Sequence, residues 1–386
     1  MSLRKLPAVF MRGGTSKAVI FHARDLPASR DAWAPIFLAL MGSPDPSMRQ
    51  LDGMGGGVSS LSKVCIIGPP THPDADVDYT FAQVRIDRAN VDYGGNCGNM
   101  SSAIGPFAVD EGLVAKPTGR DAVVRVHNTN TKKIIVSRFH MEGDLAAVDG
   151  DLAIDGVAGT GSSIRLEFLA PGGARTGRLL PTGKAADILD VAGHGRIAAS
   201  MVDAANPLVF VAADVVGATA TEMPAAMEAN LRLMQKLEAI RRTASVAMGI
   251  APDAEAAGRI SGPGIAMVAP PVAMTTLSGR ELGPADMDIA VRFISNGQPH
   301  RATPMTGAMC LAVAARVPGS IPNEMARGLD RDSNKIRIGH PSGVMVVDAK
   351  VIAGQNGAAP HAEYGAVYRT ARRLFEGRVL YRAAGV

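Results

Sequence analysis

Aromatic side chains make up only 4% of this 386-residue chain. Its core must therefore be filled by aliphatic and thioether groups, which suits its 19 Met, while 43 Gly imply many tight turns. A concentration of one charge is also missing. The net charge is +4, and the basic residues are scattered, as at Arg120/Arg125 and Arg369/Arg372/Arg373. A nucleic-acid binder would concentrate its basic residues in a stripe interleaved with aromatics, so that class is set aside. The mildly positive field left over favours small anions as partners. Cysteine is nearly absent: Cys65, Cys97 and Cys310 are odd in number and far apart, which gives neither a disulfide framework nor a Cys-x-x-Cys pair. The eight histidines form no His-Glu-x-x-His spacing, and no metal site is expected. No apolar run reaches membrane-spanning length, and Met1–Phe10 lacks a signal-peptide core. A reducing cytoplasm, with no membrane partner, is the expectation.

What is present reads as short strands separated by Gly- and Pro-rich turns, an α+β pattern. In the first half, strands are expected at Leu6–Met11, Lys17–His22, Ser62–Ile67, Val77–Ile86, Ala122–Val126, Lys133–Phe139 and Ile164–Phe168. Helical periodicity covers Asp31–Met41 and Asn99–Asp110. The second half repeats the style, with strands at Pro207–Val215, Ile265–Ala269 and Met287–Ser295. It adds one long helix at Thr221–Met248 and a helix of small residues at Gly307–Ala315. Two strand-rich halves, each with a central small-residue helix, suggest an internal duplication. The boundary is expected near Gly183–Gly195, where turn residues cluster, giving domains 1–188 and 189–386, with the last strand able to return to the first domain.

Four segments can carry chemistry. In Gly94-Gly95-Asn96-Cys97-Gly98-Asn99-Met100-Ser101-Ser102, paired glycines precede a helix start, where free N–H groups and partial positive charge attract carboxylates. The same field lowers a thiol's pKa, which makes Cys97 a candidate proton carrier; a buried structural cysteine is the alternative. Lys63 follows the run Gly53–Ser62 and sits among Leu61, Val64 and Ile66. Desolvated there, it can serve as a base, whereas a strand-edge lysine would simply face solvent. Met11-Arg12-Gly13-Gly14-Thr15-Ser16-Lys17 gathers a guanidinium and two hydroxyls around a Gly-Gly turn, a candidate carboxylate loop. Finally, Gln298-Pro299-His300-Arg301-Ala302-Thr303-Pro304-Met305-Thr306-Gly307 leads positive charge into the second small-residue helix. Gly339-His340-Pro341-Ser342-Gly343 and Asn206-Pro207 are consistent with turns alone.

Nucleotide binding finds no support. Ser16 precedes Lys17, and Ala185 follows Lys184, so neither loop has the Gly-Lys-Ser/Thr order that a phosphate loop needs. Gly159-Thr160-Gly161 lacks the third glycine of a dinucleotide fingerprint.

These blocks, with Gly42-Ser43-Pro44-Asp45 and Asp52-Gly53-Met54-Gly55-Gly56, together resemble the 2-methylaconitate cis–trans isomerase family (PrpF), which includes 4-oxalomesaconate tautomerase and 3-methylitaconate isomerase. The resemblance implies a diaminopimelate epimerase-like fold: two pseudo-symmetric barrel-like domains, each around a central helix, with substrate in the cleft between them. It implies a cofactor-independent proton shift on a small unsaturated tricarboxylate, with Lys63 and Cys97 as the catalytic pair. Arg12, Thr15, Ser16, Asn96, Gly98, Asn99, Met100, Ser101, His300, Arg301, Thr306 and Gly307 are then the substrate-binding candidates, and a homodimer is compatible. The amino-acid epimerases of this fold use two opposed cysteines. Here Pro304 stands where the second thiol would be, and Cys310 lies farther into the helix. Ala18 and Val19 replace a glycine that commonly follows Thr-Ser-Lys, which leaves the substrate open. An amino-acid epimerase and a non-catalytic polycarboxylate binder remain the alternative readings.

Overall fold

The computed structural model describes residues 3–93, 96–154, 156–260, 262–295, 297–329, 334–354 and 359–382. Gly94 and Gly95, which open the first helix-start motif, lie outside them. In chain order the main elements begin with β1 (Leu3–Gly13), β2 (Ser16–His22), α1 (Trp33–Met41), β3 (Lys63–Gly68) and β4 (Val77–Val84). Then come α2 (Gly98–Asp110), β5 (Asp121–Asn128), β6 (Lys133–Glu142) and β7 (Ile164–Leu169). The chain continues with β8 (Asp187–Val191), β9 (Gly195–Ala204), β10 (Asn206–Ala212), α3 (Pro224–Ala229), α4 (Leu231–Ala247), α5 (Ala254–Arg259), β11 (Gly264–Ala269), β12 (Ile289–Ser295) and α6 (Met305–Ala314). It closes with β13 (Lys335–His340), β14 (Gly343–Ile352), β15 (His361–Arg369) and β16 (Ala371–Arg382). The fold is α+β.

The chain divides into two compact units, Met1–Glu167 with Tyr368–Val386, and Phe168–Val367. The turn-rich stretch at Gly183–Gly195 therefore falls inside the second unit, where it leads into β8 and forms the tight turn between β8 and β9. The C-terminal strand belongs to the first unit.

In the first unit, β1 forms a hairpin with β2 and pairs antiparallel with β16 along its whole length, from Leu3↔Arg382 to Gly13↔Ala371. Strand β2 runs parallel to β3, and β3 pairs antiparallel with β4, placing Lys63 opposite Gln83. Five of the six residues of β3 are buried, Lys63 among them, so this strand is covered on both faces rather than alternating. Helix α2 packs on β1, β5 and β6. Everything from Met100 to Val109 is buried, which explains why small and aliphatic residues fill it.

In the second unit, β9 and β10 form a hairpin, β10 runs parallel to β11, and β11 pairs antiparallel with β12. Strands β13, β14 and β15 continue as antiparallel neighbours. The core is aliphatic and rich in Met, including Met201, Met227, Met248, Met267, Met274 and Met287. Nine of the ten residues of α6 are buried; only Thr306 stands partly out. The long helix expected at Thr221–Met248 is in fact two, because Asn230 leaves helical geometry and its side chain accepts from the Leu233 amide, capping α4. Similarly, the strand expected at Pro207–Val215 ends at Ala212 and turns into a 3₁₀ segment at Asp214–Val216.

Candidate active site

The start of α2 organises the first unit's site. Its N-cap is Cys97, extended at φ −101° and ψ 97°, with no side chain capping the helix. The Ser101 amide donates to the Cys97 carbonyl at 2.9 Å and so closes the first helical bond. That leaves the amides of Gly98, Asn99 and Met100 as the orphan donors of this end. Ser101 was expected among the donors, but its hydroxyl also turns inward, donating to the Cys97 carbonyl (3.1 Å) and to Asn96 Oδ1 (3.2 Å). The Asn96 Oδ1 atom accepts from Asn128 Nδ2 as well (3.1 Å), so two donors fix the Asn96 side chain just before Cys97. The Met100 side chain is fully buried, and only its amide is left for recognition.

The β1–β2 turn docks against this helix start. Gly14 has φ +51°, and a Cβ there would drive into the Asn99 side chain; one on Gly13 would lie 2.6 Å from the Asn99 carbonyl. Both positions thus need glycine for close approach, and Gly14 needs it for conformation too. The Gly14 amide donates to the Thr370 carbonyl (2.9 Å). Arg12 Nη1 donates to the Gly14 and Thr370 carbonyls, each at 3.0 Å, so this guanidinium stitches the turn to the β15–β16 connection. Burial, and then the neighbouring Arg372, lower its pKa below the ordinary arginine value. Of the two hydroxyls expected at the site, Ser16 is buried at 3% exposure and Thr15 is exposed. Thr15 Oγ1 accepts from Asn99 Nδ2 at 3.0 Å.

Lys63 is 7% exposed, not a solvent-facing edge lysine. Its Nζ donates to Gln83 Oε1 at 2.5 Å and lies 5.0 Å from the Phe81 ring centroid. Gln83 Nε2 in turn donates to the carbonyls of Ser59 (3.0 Å) and Ser62 (2.9 Å), which leaves its oxygen for the lysine. Gln83 was missed in the sequence; its signal is the β3–β4 register, which the sequence does not print. Cys65 lies two residues along β3, on the same face as Lys63. Burial, and then the nearby Cys97 thiol, push the Cys65 pKa up, with Lys63 opposing. Behind it the wholly buried Tyr79 hydroxyl, 3.8 Å from Cys65 Sγ, is also raised well above its ordinary value by burial and then by Cys65 and Cys97. Burial thus keeps both groups protonated.

In the second unit, α6 starts after Pro304, and the Ala308 amide donates to the Pro304 carbonyl at 2.8 Å. The orphan amides are those of Met305, Thr306 and Gly307. A cavity of about 240 Å³ opens there, with His300, Pro304, Thr306 and Gly307 in its lining. Arg175 and Asn206 join them, and the sequence reading missed both as site residues. Asn206 is no mere turn: its Nδ2 donates to Thr306 Oγ1 at 3.0 Å. Burial lowers the His300 pKa. Arg301, by contrast, is exposed and outside the cavity lining; its carbonyl accepts from Ser342 Oγ at 2.6 Å, tying it to the Pro341–Ser342 turn between β13 and β14. Cys310 is wholly buried, its Sγ donates to the Val202 carbonyl at 3.4 Å, and burial raises its pKa.

Among the described residues, no group of three or more His, Cys, Asp and Glu side chains is placed to hold a metal ion. Nor is any helix among them long and apolar enough to cross a membrane.

The chain is 42% identical over 385 residues to 3-methylitaconate isomerase of Eubacterium barkeri, covering 98% of each chain. It is 36% identical over 386 residues to 2-methyl-aconitate isomerase of Shewanella oneidensis, covering 97% of this chain and 96% of that one. The solved structure of a methylitaconate-delta-isomerase superposes with a TM-score of 0.93 at 40% identity, covering 100% of this chain and 98% of the other. The model of the PrpF protein family matches residues 3–382, nearly the whole sequence, and the chain belongs to that family.

Proposed function

We propose that this isomerase relocates a proton on a small unsaturated polycarboxylate such as 2-methylaconitate, 3-methylitaconate, aconitate or 4-oxalomesaconate, without a cofactor and in the cytoplasm. The observation that carries the reading is the start of α2, where three orphan amides and the Cys97 cap meet and against which β3, the strand of Lys63, packs. Such an end suits a carboxylate that gains charge during the reaction.

Lys63 takes the allylic proton onto its side-chain nitrogen. The electron pair left behind spreads through the C=C bond onto the adjoining carboxylate, and the amides of Gly98, Asn99 and Met100 stabilise the added charge. The Cys97 thiol then gives its proton to the other end of the allyl system, which moves the double bond. Thiolate and ammonium remain, and one proton passing from ammonium to thiolate, directly or through water, restores the pair. Each such group typically contributes about 10²–10⁴-fold. Two-thiol racemisation is not favoured, because Pro304 caps α6 where a second thiol would be needed and Cys310 is sealed in the helix interior.

The test is ¹H NMR of the four acids with wild-type enzyme in D₂O. Conversion of at least one, with deuterium entering the carbon that gains the proton, is expected. No conversion and no deuterium uptake with any of them rejects the reading.

A further inference from the structure

Arg369, at the end of β15, is only 8% exposed. Its guanidinium makes two hydrogen bonds, Nε to Asn99 Oδ1 at 3.2 Å and Nη1 to the Tyr368 carbonyl at 2.8 Å. Both acceptors are neutral, and among the described residues no carboxylate bonds to it. Burial alone pushes its pKa down to about 10. A cation kept this dry with no acid is costly to hold, so what it does for its neighbours matters.

An arginine side chain only donates, so the atom Asn99 turns toward it must be Oδ1. Asn99 Nδ2 then points the other way and donates to Thr15 Oγ1 at 3.0 Å. A hydroxyl that accepts in this way still has its own proton to place, and Thr15 is exposed at the tip of the β1–β2 turn. The turn is pressed onto both partners, since a Cβ on Gly14 would meet Arg369 Cδ at 3.2 Å as well as the Asn99 amide.

We propose that Arg369 is a positioning residue for carboxylate recognition: it sets the direction of the Arg369–Asn99–Thr15 relay so that the Thr15 hydroxyl donates outward to a carboxylate of the bound acid. This rests on the isomerase reading above for its ligand class. The positive charge of Arg369, poorly screened in its dry setting, reinforces the same preference for an anion.

Four substitutions, singly and combined, test it, with thermal melts confirming that each protein folds. R369M removes both donors and is expected to raise KM about tenfold or more with kcat changed by less than about threefold, the size expected when one charge-assisted contact is lost. R369K keeps a charge and a donor and should recover most of that loss, which a role in packing alone would not explain. N99D keeps size and still accepts from Arg369 but cannot donate to Thr15, so it should raise KM like R369M; if R369M fails to fold, N99D decides. Adding T15V to either variant should cost little more, because the relay is already broken. A KM within about twofold of wild type for folded R369M or for N99D, or effects of R369M and T15V that multiply independently, overturns the proposal. Calorimetric binding of the saturated acid propane-1,2,3-tricarboxylate separates this claim from the reaction itself. If wild type binds it and R369M binds it more weakly, the positioning role stands even where no isomerisation is found. No binding by wild type, or equal binding by R369M, rejects it.

Discussion

Helices α2 and α6 begin alike and are equipped differently. Each follows an extended N-cap with no side-chain cap, each closes its first bond onto the cap carbonyl, and each leaves three amides free. At α2 the cap is Cys97, a buried lysine stands on β3, against which the helix packs, and an amide relay orients the neighbouring hydroxyl. At α6 the cap is Pro304, which can neither ionise nor donate. Its surroundings offer Thr306, Asn206, His300 and Arg175, groups suited to holding an anion. On the proposed reading the same backbone device serves proton transfer at α2 and binding at α6, and the side chains at the cap and on the adjoining strand decide which.

The largest expected effect separates the two. K63A should lower kcat by about 10³-fold and C97S by about 10²-fold, both folded, the range of a lost general base or acid. Stopped assays on the substrate found by NMR check this, and a variant at near-normal kcat would break the contrast. A smaller effect comes from the turn that docks on α2. G14A and G143A both force alanine to positive φ, with a strain of about 1–2 kcal/mol each. Space around Gly143 is open, whereas Gly14 abuts Asn99, so only G14A should also raise KM, by about tenfold if the Thr15 contact is lost. Parallel melts and kinetics compare the two.

The smallest effect belongs to α6. Burial holds the His300 pKa below 6.5, so the folded protein keeps the ring neutral to lower pH than the unfolded chain does. Between those two values the unfolded state binds more protons, and stability falls as pH drops below 6.5 through the folded value. H300Q should flatten that part of the melting-temperature profile. An unchanged slope in H300Q would assign the pH dependence to other groups.

Local chemistry was readable from the sequence, and long-range pairing was not. The glycines at 13 and 14, the helix beginning at the Cys97 motif and the apolar frame around Lys63 are all local patterns, and α2 differs from its expected span by one residue. Strands β13 to β15 went unrecognised, and the last strand was expected to return to the first domain without its residues being located. In β16 only Val379 and Tyr381 are buried and arginines recur, so no apolar alternation marks it as the partner of β1. Arg369 was hidden for the same reason: it looks like one more scattered cation until β15 brings it beside Asn99. Strands β8 and β9 were lost beneath the turn signals on either side of them. Asn230 sits inside a helical pattern and breaks it by capping, a role that periodicity alone does not register.

Lys63 as the base that removes the proton is most directly tested by exchange of the substrate's allylic hydrogen in D₂O, followed by NMR with wild type, C97S and K63A. C97S, which retains the base, should still wash deuterium into the carbon that loses the proton even as isomerisation slows, while K63A should show no exchange there. Exchange at the wild-type rate in folded K63A would contradict the assignment outright.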